Sequence, residues 1–385
     1  MQVRRAEILG LRIPFAQSFS HGTMRREVSD SVVVRVLLED GTVGHGEGAP
    51  RSYVTGETAE SVRRRVREVL WPALRGRTLP ACGPGTLDAL SELLPDAEPT
   101  VAERAQGVVA HHAARCALEL ALLDAVGRSA KRSVGACLSP ATEAFRYGGV
   151  IELTSVEASV ALAQRVRALG LTDCKVKVGD ERDLERVAAV REVLGPDVAL
   201  RVDANGVWDL ETAVARIQAL TDLGIDCCEE PLGRARRSEL AVLVHEIDVP
   251  VLLDESLVTL EDADEFAPLG GAVWFDLRVS KCGGLAPCLA LARVARAAGV
   301  GLVVGCQVGE TSLLAAAGRH LAAHLSDHLR LEGSFGTLLL STDVARETVA
   351  FGPGGAAPAL GGPGLGVDVL DAELARHAAF REELR

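Results

Sequence analysis

Five reactive side chains recur in this sequence of 385 residues at almost one interval, each just behind a short apolar run. They are Lys177, Asp203, Glu229, Asp254 and Lys281, and the steps between them are 26, 26, 25 and 27 residues. Three carboxylates provide the hard oxygen ligands that a divalent cation prefers, and lysines can move protons as general bases. The residue types therefore predict metal chemistry flanked by two bases.

A repeat of this length is typical of one supersecondary unit: a strand, a loop, a helix and a return loop. The next step after Lys281 reaches Cys306 and Gln307, and one more reaches Glu332. Reactive groups at the C-terminal ends of successive strands are typical of the working face of a β/α barrel. The runs before them are rich in Val and Leu, as expected of parallel strands that are covered on both faces.

Helices are predicted between these strands from the spacing of apolar residues. The segments 209–223 and 285–298 each place apolar side chains on one helical face. A further helix is expected to begin at Asp180 or Asp183 and to continue to Leu194, before a Gly-Pro pair that would end it. Strand and helix alternate through the repeat, which indicates an α/β fold.

The first part of the chain follows a different pattern. Strands are predicted at 3–13 and 31–38, with a hairpin turn at 39–42. Helical spacing follows at 58–70 and, more strongly, at 101–126. These elements predict an α+β segment ahead of the barrel.

Three parts are expected along the chain: an N-terminal capping domain at 1–130, the barrel at 145–345 and a C-terminal return at 346–385. The tail has strand and then helix character, and we expect it to leave the barrel and pack on the capping domain. Two loops, 18–27 and 49–57, are candidate lids that would exclude water and shape substrate choice. The candidate lid residues are His21, Tyr53 and Thr55.

Charge and composition argue against several classes of partner. The 53 Asp and Glu residues outnumber the 41 Lys and Arg residues, and the net charge of −12 argues against nucleic acid and anionic membranes. No apolar stretch is long enough to span a bilayer, and the first residues lack the apolar run of a secretory signal. Nine cysteines, mostly inside apolar runs and without zinc-type spacing, favour reduced thiols in a cytoplasmic protein.

The segments at the predicted strand ends resemble the successive strand-end motifs of the enolase superfamily. These segments are TDCKVKV at 172–178, RVDANG at 201–206, CEEPL at 228–232, LLDESL at 252–257 and VSKCGGL at 279–285. The pair Lys177 and Lys281 is similar to the two lysines of the muconate lactonizing enzyme subgroup. The mandelate racemase subgroup carries a His after the seventh strand, where this chain has Cys306 and Gln307.

The resemblance spans the whole chain. The segments 44–50 and 53–58 resemble the lid region of the capping domain, and the segment 362–367 resembles the C-terminal return. The implied fold is a modified TIM barrel, (β/α)7β, with an α+β capping domain built from the N-terminal segment and the C-terminal tail. A homo-oligomer is also implied, and we expect the Ala- and Leu-rich segment 313–323 to be partly buried between subunits.

The expected metal ligands are Asp203, Glu229 and Asp254, which follow three adjacent strands. Three carboxylates that converge without a cation would repel one another and raise each other's pKa. The ligand set suits Mg²⁺, or Mn²⁺ in its place, because Mg²⁺ keeps exchangeable positions for water and substrate. By resemblance Glu229 is the ligand of its pair, and Glu230 points the other way along the strand.

Lys175 and Lys177 are two residues apart in a strand, so both are expected to point into the barrel. Each positive charge would lower the pKa of the other lysine towards neutrality, as a general base requires. Lys177 is therefore predicted to be the base and Lys175 its electrostatic partner. Lys281 follows four strands further round the barrel and is expected on the opposite side of the substrate.

Five further residues are candidates for supporting the metal or contacting the substrate. Asn205 is expected to support the metal site, whereas Glu255 is expected to point away from its centre. Glu332 falls at the end of the predicted eighth strand, where it would help to position the substrate. After the seventh strand, Gln307 or Glu310 could also reach the pocket.

The enolase superfamily is itself the standard example of a Lys or His base acting with Mg²⁺ on an enediolate. The resemblance implies abstraction of a proton α to a carboxylate, with a metal-stabilised enediolate intermediate. Reprotonation from the opposite lysine would give racemisation or epimerisation, and protonation in a ring-opening sense would give cycloisomerisation. A hydroxy-acid dehydratase is the first alternative. A non-catalytic carboxylate-binding protein is another, although binding alone needs neither lysine.

An N-acyl amino acid, a dipeptide and a muconate-like compound all stay open as the small carboxylate substrate. The lid segment 56–58 resembles that of dipeptide epimerases. Those enzymes carry Asp-x-Asp on the eighth strand, where this chain has Glu332, Gly333 and Ser334. Muconate cycloisomerases show a related Glu at that position.

Overall fold

A computed structural model of the chain describes residues 1–21, 24–139 and 141–385, and it describes the side chains of these residues except those of 17–26. The strands, in chain order, are β1 Val3–His21, β2 Met24–Leu38, β3 Val43–Gly48, β4 Ala144–Arg146, β5 Gly149–Ile151, β6 Asp173–Lys177, β7 Ala199–Asp203, β8 Cys227–Glu229, β9 Val251–Leu253, β10 Val273–Leu277, β11 Gly301–Val304, β12 Arg330–Leu331, β13 Ala356–Pro358 and β14 Ala378–Leu384.

In the barrel, the helices begin and end close to their predicted positions. In the segment that precedes the barrel, the agreement is poorer. The helices are α1 Ala59–Arg65, α2 Trp71–Leu74, α3 Thr86–Leu93, α4 Val101–Ala105, α5 His112–Ser129, α6 Gly135–Leu138, α7 Val156–Ala168, α8 Asp183–Leu194, α9 Leu210–Thr221, α10 Leu240–Glu246, α11 Leu260–Phe266, α12 Val279–Cys282, α13 Leu285–Ala298, α14 Ser312–His324 and α15 Asp371–His377. Within the described ranges, none of these helices is long and apolar enough to cross a membrane.

The strands β5 to β12 form one eight-stranded parallel sheet in chain order. A hydrogen bond of 2.9 Å from the backbone N–H of Gly148 to the carbonyl of Leu331 joins the last strand to the start of the first. A helix lies between each strand and the next, and β12 is followed by a 3₁₀ turn at Gly336–Leu338. The predicted (β/α)7β barrel is therefore confirmed.

A second, antiparallel sheet caps the barrel, with the strand order β14-β1-β2-β3. The tail completes this sheet, because β14 pairs with β1 from Ala6 opposite Leu384 onwards. This confirms a capping layer built from both ends of the chain, and it adds a final strand that the sequence pattern did not predict. The domain boundaries at 130, 145 and 345 stay predictions.

Helix α5 packs closely on β3 because β3 carries glycines where the helix approaches. A Cβ atom on Gly46 would lie 2.3 Å from the carbonyl oxygen of Ala117, and one on Gly48 would lie 2.0 Å from that of Ala113. Any side chain would therefore push the helix away from the sheet. The glycines fix α5 between the capping sheet and the barrel.

The prediction of one helix over 101–126 is wrong, because two helices fill this segment. Helix α4 ends at Ala105, and Gly107 follows with a φ of +87°, a conformation that side chains disfavour. Helix α5 then begins at His112. The first turn of α5 has backbone N–H groups without a partner inside the helix. Two of them, those of Ala113 and Ala114, donate to the buried Glu57 carboxylate at 2.9 and 3.2 Å.

The expected contact surface at 313–323 lies inside the chain. This segment belongs to α14, where Leu313, Ala317 and Leu321 are fully buried within the single chain. The helix packs against β3, α6 and α12, so its apolar residues are covered by the capping layer and the barrel. The segment therefore gives no support to the homo-oligomer, which stays a prediction from the resemblance.

Candidate active site

Charged side chains line the interior of the barrel because they are spaced two residues apart on parallel strands. Lys175 and Lys177 lie on β6, and Arg201 and Asp203 lie on the neighbouring β7. Asp203 is paired in register with Glu229 of β8, so the two carboxylates end their strands at the same level. All five side chains are buried.

Three carboxylates form a tight buried group at this end of the barrel. Glu229, Asp254 and Asp276 offer oxygen atoms that all lie within 4.8 Å of one another. Two of them are predicted metal ligands, and Asp276 was missed by the sequence analysis. The signal for it was present, since Asp276 lies two residues after Trp274 in β10 and therefore shares one face of the strand with it.

Asp203, the third predicted ligand, is held by the lysines of β6. The ammonium of Lys177 donates to Asp203 Oδ2 at 3.0 Å, and that of Lys175 lies 3.6 Å from the same oxygen. The backbone N–H of Asn205 donates to Asp203 Oδ1 at 3.0 Å. Asp203 is close enough to Glu229 to act with burial in raising the pKa of Glu229.

Two buried arginines that the sequence analysis did not single out balance these carboxylates. Arg278 donates from Nε to Asp276 at 2.8 Å and from Nη2 to Glu229 at 3.3 Å, and it is ion-paired with Asp254. Although burial acts in the opposite direction, Arg278 and Lys281 lower the pKa of Asp254 to about 2. Asp254 is therefore held as a carboxylate.

The second buried arginine, Arg201, links three acidic groups inside the barrel. It donates to Glu229 and to Asp173, both at 3.3 Å, and it is ion-paired with Glu332. Lys175 Nζ lies 3.0 Å from the other oxygen of Glu332. The Glu332 carboxylate is therefore neutralised from two sides.

Lys175 and Lys177 both point into the barrel, but mutual repulsion does not set the charge of Lys175. Its Nζ donates to the two oxygens of Glu229 at 2.9 and 3.2 Å. Burial alone would lower the pKa of Lys175, yet the carboxylates of Glu229 and Asp203 outweigh burial and raise it. The prediction of a lowered pKa is wrong for Lys175, because it treated the lysines without their acidic partners.

Lys281 does not end a strand as predicted. Strand β10 ends at Leu277, and Lys281 lies in the short helix α12, which is followed by Gly283 with a φ of +98°. Its Nζ donates to the backbone oxygen and to Oδ1 of Asp254 at 2.8 and 3.0 Å, and to the backbone oxygen of Asp276 at 2.7 Å. The chain turns back over the strand ends, which aims Lys281 at the carboxylate group.

Glu230 and Glu255, which follow two of the predicted ligands, differ in orientation. Glu230 accepts a hydrogen bond of 2.8 Å from the backbone N–H of Asp254, so it supports that residue from behind. Burial raises the pKa of Glu230 to about 7. Glu255 does not point away from the centre as expected, because Asn205 donates to it at 3.3 Å. Strand β9 ends at Leu253, so strand alternation no longer applies two residues later.

A cavity of about 210 Å³ opens above this charged interior. Its polar lining consists of Lys175 and Lys177 of β6, together with Arg278 and Glu332, which directly follow β10 and β12. The other residues of its wall are mainly apolar: Val150, Leu162, Cys306, Val308, Phe335, Leu338 and Leu339, with Glu152 and Arg165 as the exceptions. Apart from Cys306, sequence analysis did not identify this wall, because it comes from β5, α7 and loop residues that the 26-residue interval does not mark.

The loop after β11 contributes different residues from those expected. Cys306 and Val308 line the cavity, whereas Gln307 and Glu310 line a smaller cavity of about 10 Å³ beside it. Burial and the neighbouring Glu47 raise the pKa of Glu310 to about 8.

The candidate lid residues lie apart from this cavity where the structure describes them. Thr55 is buried and donates from its hydroxyl to Glu57 at 2.9 Å, so it serves the interior of the capping layer. Tyr53 is 37% exposed, and in the described chain neither residue lines the cavity. The side chain of His21 lies outside the described residues.

The residues present fit a divalent metal ion. The group of Glu229, Asp254 and Asp276 consists only of buried oxygen donors, with Asp203 beside it. A buried set of hard oxygen donors of this kind suits Mg²⁺ or Mn²⁺.

Comparison with known proteins agrees with this arrangement. Residues 3–138 match the family described as mandelate racemase/muconate lactonizing enzyme, N-terminal domain, and residues 158–373 match the enolase C-terminal domain-like family. The chain is 31% identical over 350 residues to an L-Lys-D/L-Arg epimerase of Methylococcus capsulatus, covering 90% of this chain and 93% of that protein. It is 28% identical over 344 residues to a hydrophobic dipeptide epimerase of Enterococcus faecalis, covering 87% and 92%.

Solved structures agree over nearly the full length. The N-succinyl Arg/Lys racemase from Bacillus cereus superposes with a TM-score of 0.88 at 25% identity, with complete coverage of both chains. The muconate lactonizing enzyme from Pseudomonas fluorescens, complexed with muconolactone, superposes with a TM-score of 0.86 at 26% identity, covering 98% and 99%. The chain therefore belongs to the mandelate racemase/muconate lactonizing enzyme family, and it is an isomerase of the enolase superfamily.

Proposed function

We propose that this enzyme is a Mg²⁺-dependent racemase that inverts the α-carbon of an N-acyl amino acid. One observation carries the proposal: Lys177 and Lys281 come from opposite parts of the barrel, and each contacts a carboxylate of one acidic site. Lys177 contacts Asp203 at 3.0 Å, and Lys281 contacts Asp254 at 3.0 Å. Two bases around one carboxylate-binding centre are what inversion at a carbon α to a carboxylate requires.

The metal ligands in this proposal are Asp203, Glu229 and Asp254. When bound there, Mg²⁺ supplies Lewis-acid stabilisation of the negative charge that develops on the substrate carboxylate. Asp276 lies beside these groups and holds Arg278, so its role in the proposal is to place that cation. Glu230 fixes the backbone of Asp254 and is not a ligand.

The two lysines carry the proton transfers. Lys177 in its neutral form removes the α-proton from one face, which breaks the C–H bond and forms an N–H bond. The electron pair is delocalised into the carboxylate as an enediolate. Lys281, as an ammonium, returns a proton to the other face and leaves the α-carbon inverted. In the reverse direction the two lysines exchange roles.

The cavity favours an N-acyl amino acid over a substrate with a free α-ammonium group at the eighth strand. Glu332, which directly follows that strand, is already neutralised by Arg201 and by Lys175, the latter at 3.0 Å. An incoming ammonium would have to displace a buried cation. By contrast, the exposed Arg165 lies in the cavity wall and could pair with an acidic acyl group, while Phe335 and other apolar residues contact a neutral chain.

Dipeptide epimerisation is the second candidate, and Glu152 is the observation that favours it. This half-buried carboxylate lies in the cavity wall just after β5, next to the eighth strand. It could accept an ammonium group in place of Glu332. One relative of the chain is named hydrophobic dipeptide epimerase, at 28% identity, and another is named L-Lys-D/L-Arg epimerase, at 31% identity.

The proposal is tested by incubating the enzyme with Mg²⁺ in D₂O and following deuterium at the α-carbon. The panel contains N-succinyl and N-acetyl amino acids, dipeptides and muconate. We expect deuterium incorporation with inversion for the N-acyl amino acids, loss of it after EDTA, and recovery with added Mg²⁺. Full activity of the EDTA-treated enzyme, or turnover of muconate alone, would contradict the proposal.

A further inference from the structure

We infer that helix α5 of the capping layer positions Lys281. Three side chains of α5 form hydrogen bonds with the backbone of the turn at 281–286, which carries Lys281. His112, Arg115 and Glu119 are the positioning residues. The inference rests on the proposed function in one respect, because it takes Lys281 to be a base. It adds a role for the capping layer in catalysis that does not involve contact with the substrate.

The first two contacts hold the backbone on each side of the turn. His112 donates from Nδ1 to the carbonyl of Lys281 itself at 2.7 Å, and Arg115 donates from Nη1 to the carbonyl of Gly283 at 3.1 Å. A carbonyl only accepts, so the proton lies on Nδ1 of His112. Burial lowers the pKa of His112 to about 4, so the neutral ring with that tautomer is the form at neutral pH.

The third contact fixes the next helix relative to the turn. Glu119, which is fully buried, accepts hydrogen bonds from the backbone N–H groups of Leu285 and Ala286, at 2.5 and 3.3 Å. These are free donors at the first turn of α13, which a carboxylate satisfies well. Arg115 in turn donates to Glu119 at 3.0 Å, so these two side chains are linked to each other.

The three residues lie at helical positions that face one way. Their spacing of three and then four residues places them on one side of α5, towards α12 and α13. The opposite side of α5 lies against the glycines of β3. The helix is therefore held between a rigid sheet and the turn that carries the base.

The turn is shaped to accept this close approach. A Cβ atom on Gly284 would lie 2.2 Å from Oε1 of Glu119, and one on Gly283 would lie 3.0 Å from Cδ2 of His112. Both glycines have positive φ, +126° and +98°, which other residues rarely adopt. The Gly-Gly pair after Cys282 is thus required both by the backbone and by the distance to α5.

A further contact holds the residue before Lys281 from the other side. The backbone N–H of Ala49, at the end of β3, donates to the hydroxyl of Ser280 at 2.8 Å. Lys281 is therefore fixed by capping-layer contacts on either side of its Cα atom. A shift of a catalytic group by about 1 Å can reduce the rate of reaction on the order of 100-fold. Loss of the hydrogen bonds between α5 and the turn should therefore slow the proton transfer carried out by Lys281.

Lys177 gives an internal reference, because it lies on β6, where its ammonium contacts Asp203 and Asn205 at 3.0 and 2.6 Å. Its polar partners, Asp203 and Asn205, lie on and just after β7 and not on α5. Loss of the hydrogen bonds between α5 and the turn should therefore slow α-proton exchange of one enantiomer of the substrate. A general loss of structure should slow the exchange of both enantiomers.

The test compares His112→Leu, which lacks the donor, with His112→Asn, whose amide nitrogen can take the place of Nδ1. Deuterium exchange at the α-carbon is measured in D₂O for each enantiomer. The enantiomer served by Lys281 is the one whose exchange persists in Lys177→Ala. We expect His112→Leu to slow that exchange about tenfold more than exchange of the other enantiomer, and His112→Asn to restore most of it. Equal slowing of both enantiomers would overturn the inference.

Asp124→Asn is the matched control on the same helix. Asp124 is buried and accepts backbone hydrogen bonds from His45 and Leu365, at 2.9 and 2.8 Å, on the side of α5 away from the turn. The substitution should lower the melting temperature and leave the ratio of the two exchange rates unchanged. A change of that ratio would mean that any damage to α5 has the same effect, which would overturn the inference.

A second measurement separates failure of this inference from failure of the proposed function. Absence of α-proton exchange in the wild-type enzyme with every substrate would contradict the proposed function but not the positioning role of α5. Backbone amide exchange, followed by mass spectrometry, then decides the positioning role. In Glu119→Ala, or in Glu119→Gln if the Ala variant does not fold, the amides of 281–286 should exchange at least tenfold faster. Unchanged protection of these amides would overturn the inference.

Discussion

Lys281 donates hydrogen bonds both to the carboxylate and to the backbone carbonyl of Asp254, at 3.0 and 2.8 Å. The proposed second base is thus attached to a proposed metal ligand. Lys177 and Asp203 form the corresponding pair on the other side, at 3.0 Å. Each base is held by an acidic residue of the centre that activates the substrate, so metal binding and proton transfer depend on the same carboxylates.

The ligand set can be decided by comparing Asp203→Asn with Asp276→Asn. If Asp203 is a ligand and Asp276 holds Arg278, Asp203→Asn should abolish measurable Mg²⁺ binding. Asp276→Asn should weaken binding by about tenfold, as for a group that orients its neighbours. Isothermal titration with Mg²⁺ gives both affinities, and circular dichroism checks that each variant is folded. The reverse order of effects would assign the site to Glu229, Asp254 and Asp276.

The exposed Arg165 should set the preference for an acidic acyl group. Arg165→Gln is expected to raise KM for an N-succinyl substrate about fivefold, because a partly solvated charge-assisted hydrogen bond contributes about 1 kcal/mol. KM for the N-acetyl analogue should change less than twofold. Steady-state kinetics with both substrates checks this, and an equal effect on both would show that Arg165 does not contact the acyl group.

Glu152 separates the two candidate substrate classes. If the enzyme acts on dipeptides, the Glu152 carboxylate binds their ammonium group, and Glu152→Gln should lower kcat/KM for a dipeptide by about tenfold or more. If it acts on N-acyl amino acids, the same variant should keep most of its activity on them. The measured ratio of kcat/KM values for the two classes, before and after substitution, supports one class and excludes the other.

Acid sensitivity should depend on His320, a buried residue of α14. Burial lowers the pKa of His320 to about 4, while its ring nitrogen lies 3.1 Å from the carbonyl of Leu365 in the tail. The unfolded chain, with a pKa near 6.5, takes up a proton before the folded chain does. Stability should therefore fall as the pH falls from about 6.5 towards 4, by about 3 kcal/mol for this group.

The variant His320→Gln removes this titration. Between pH 7 and pH 4.5, its free energy of unfolding should fall by about 2 kcal/mol less than that of the wild type. Urea denaturation at the two pH values measures both falls. The exposed His245, changed to Gln, is the matched control and should follow the wild type. Equal falls in His320→Gln and the wild type would show that another group causes the acid sensitivity.

Much of the barrel could be predicted because its strands are local and periodic. The ends of β7 and β8 fall at Asp203 and Glu229, where an apolar run stops at an acidic residue. Lys281 fits the same interval without ending a strand, because the interval measures the length of a repeat and not the shape of the turn within it. The Gly-Gly pair was the sign that the chain turns there.

Other features depend on contacts between distant parts of the chain. Asp276 could have been predicted from two-residue alternation along β10, which places it on the same face of the strand as Trp274. The break before α5 could not, because it depends on Glu57 reaching the new helix. The apolar composition of α14 did not show whether another subunit or the capping layer covers it, since apolar periodicity gives no partner.

The central claim is that Lys177 and Lys281 act on opposite faces of one substrate, and α-proton exchange of each lysine variant in D₂O tests it most directly. With Mg²⁺ and an N-acyl amino acid, Lys177→Ala and Lys281→Ala should both fail to invert the substrate. Each should still exchange the α-proton of one enantiomer, and the two variants should retain opposite enantiomers. Inversion at a near wild-type rate by either variant, or retention of the same enantiomer by both, would contradict the account.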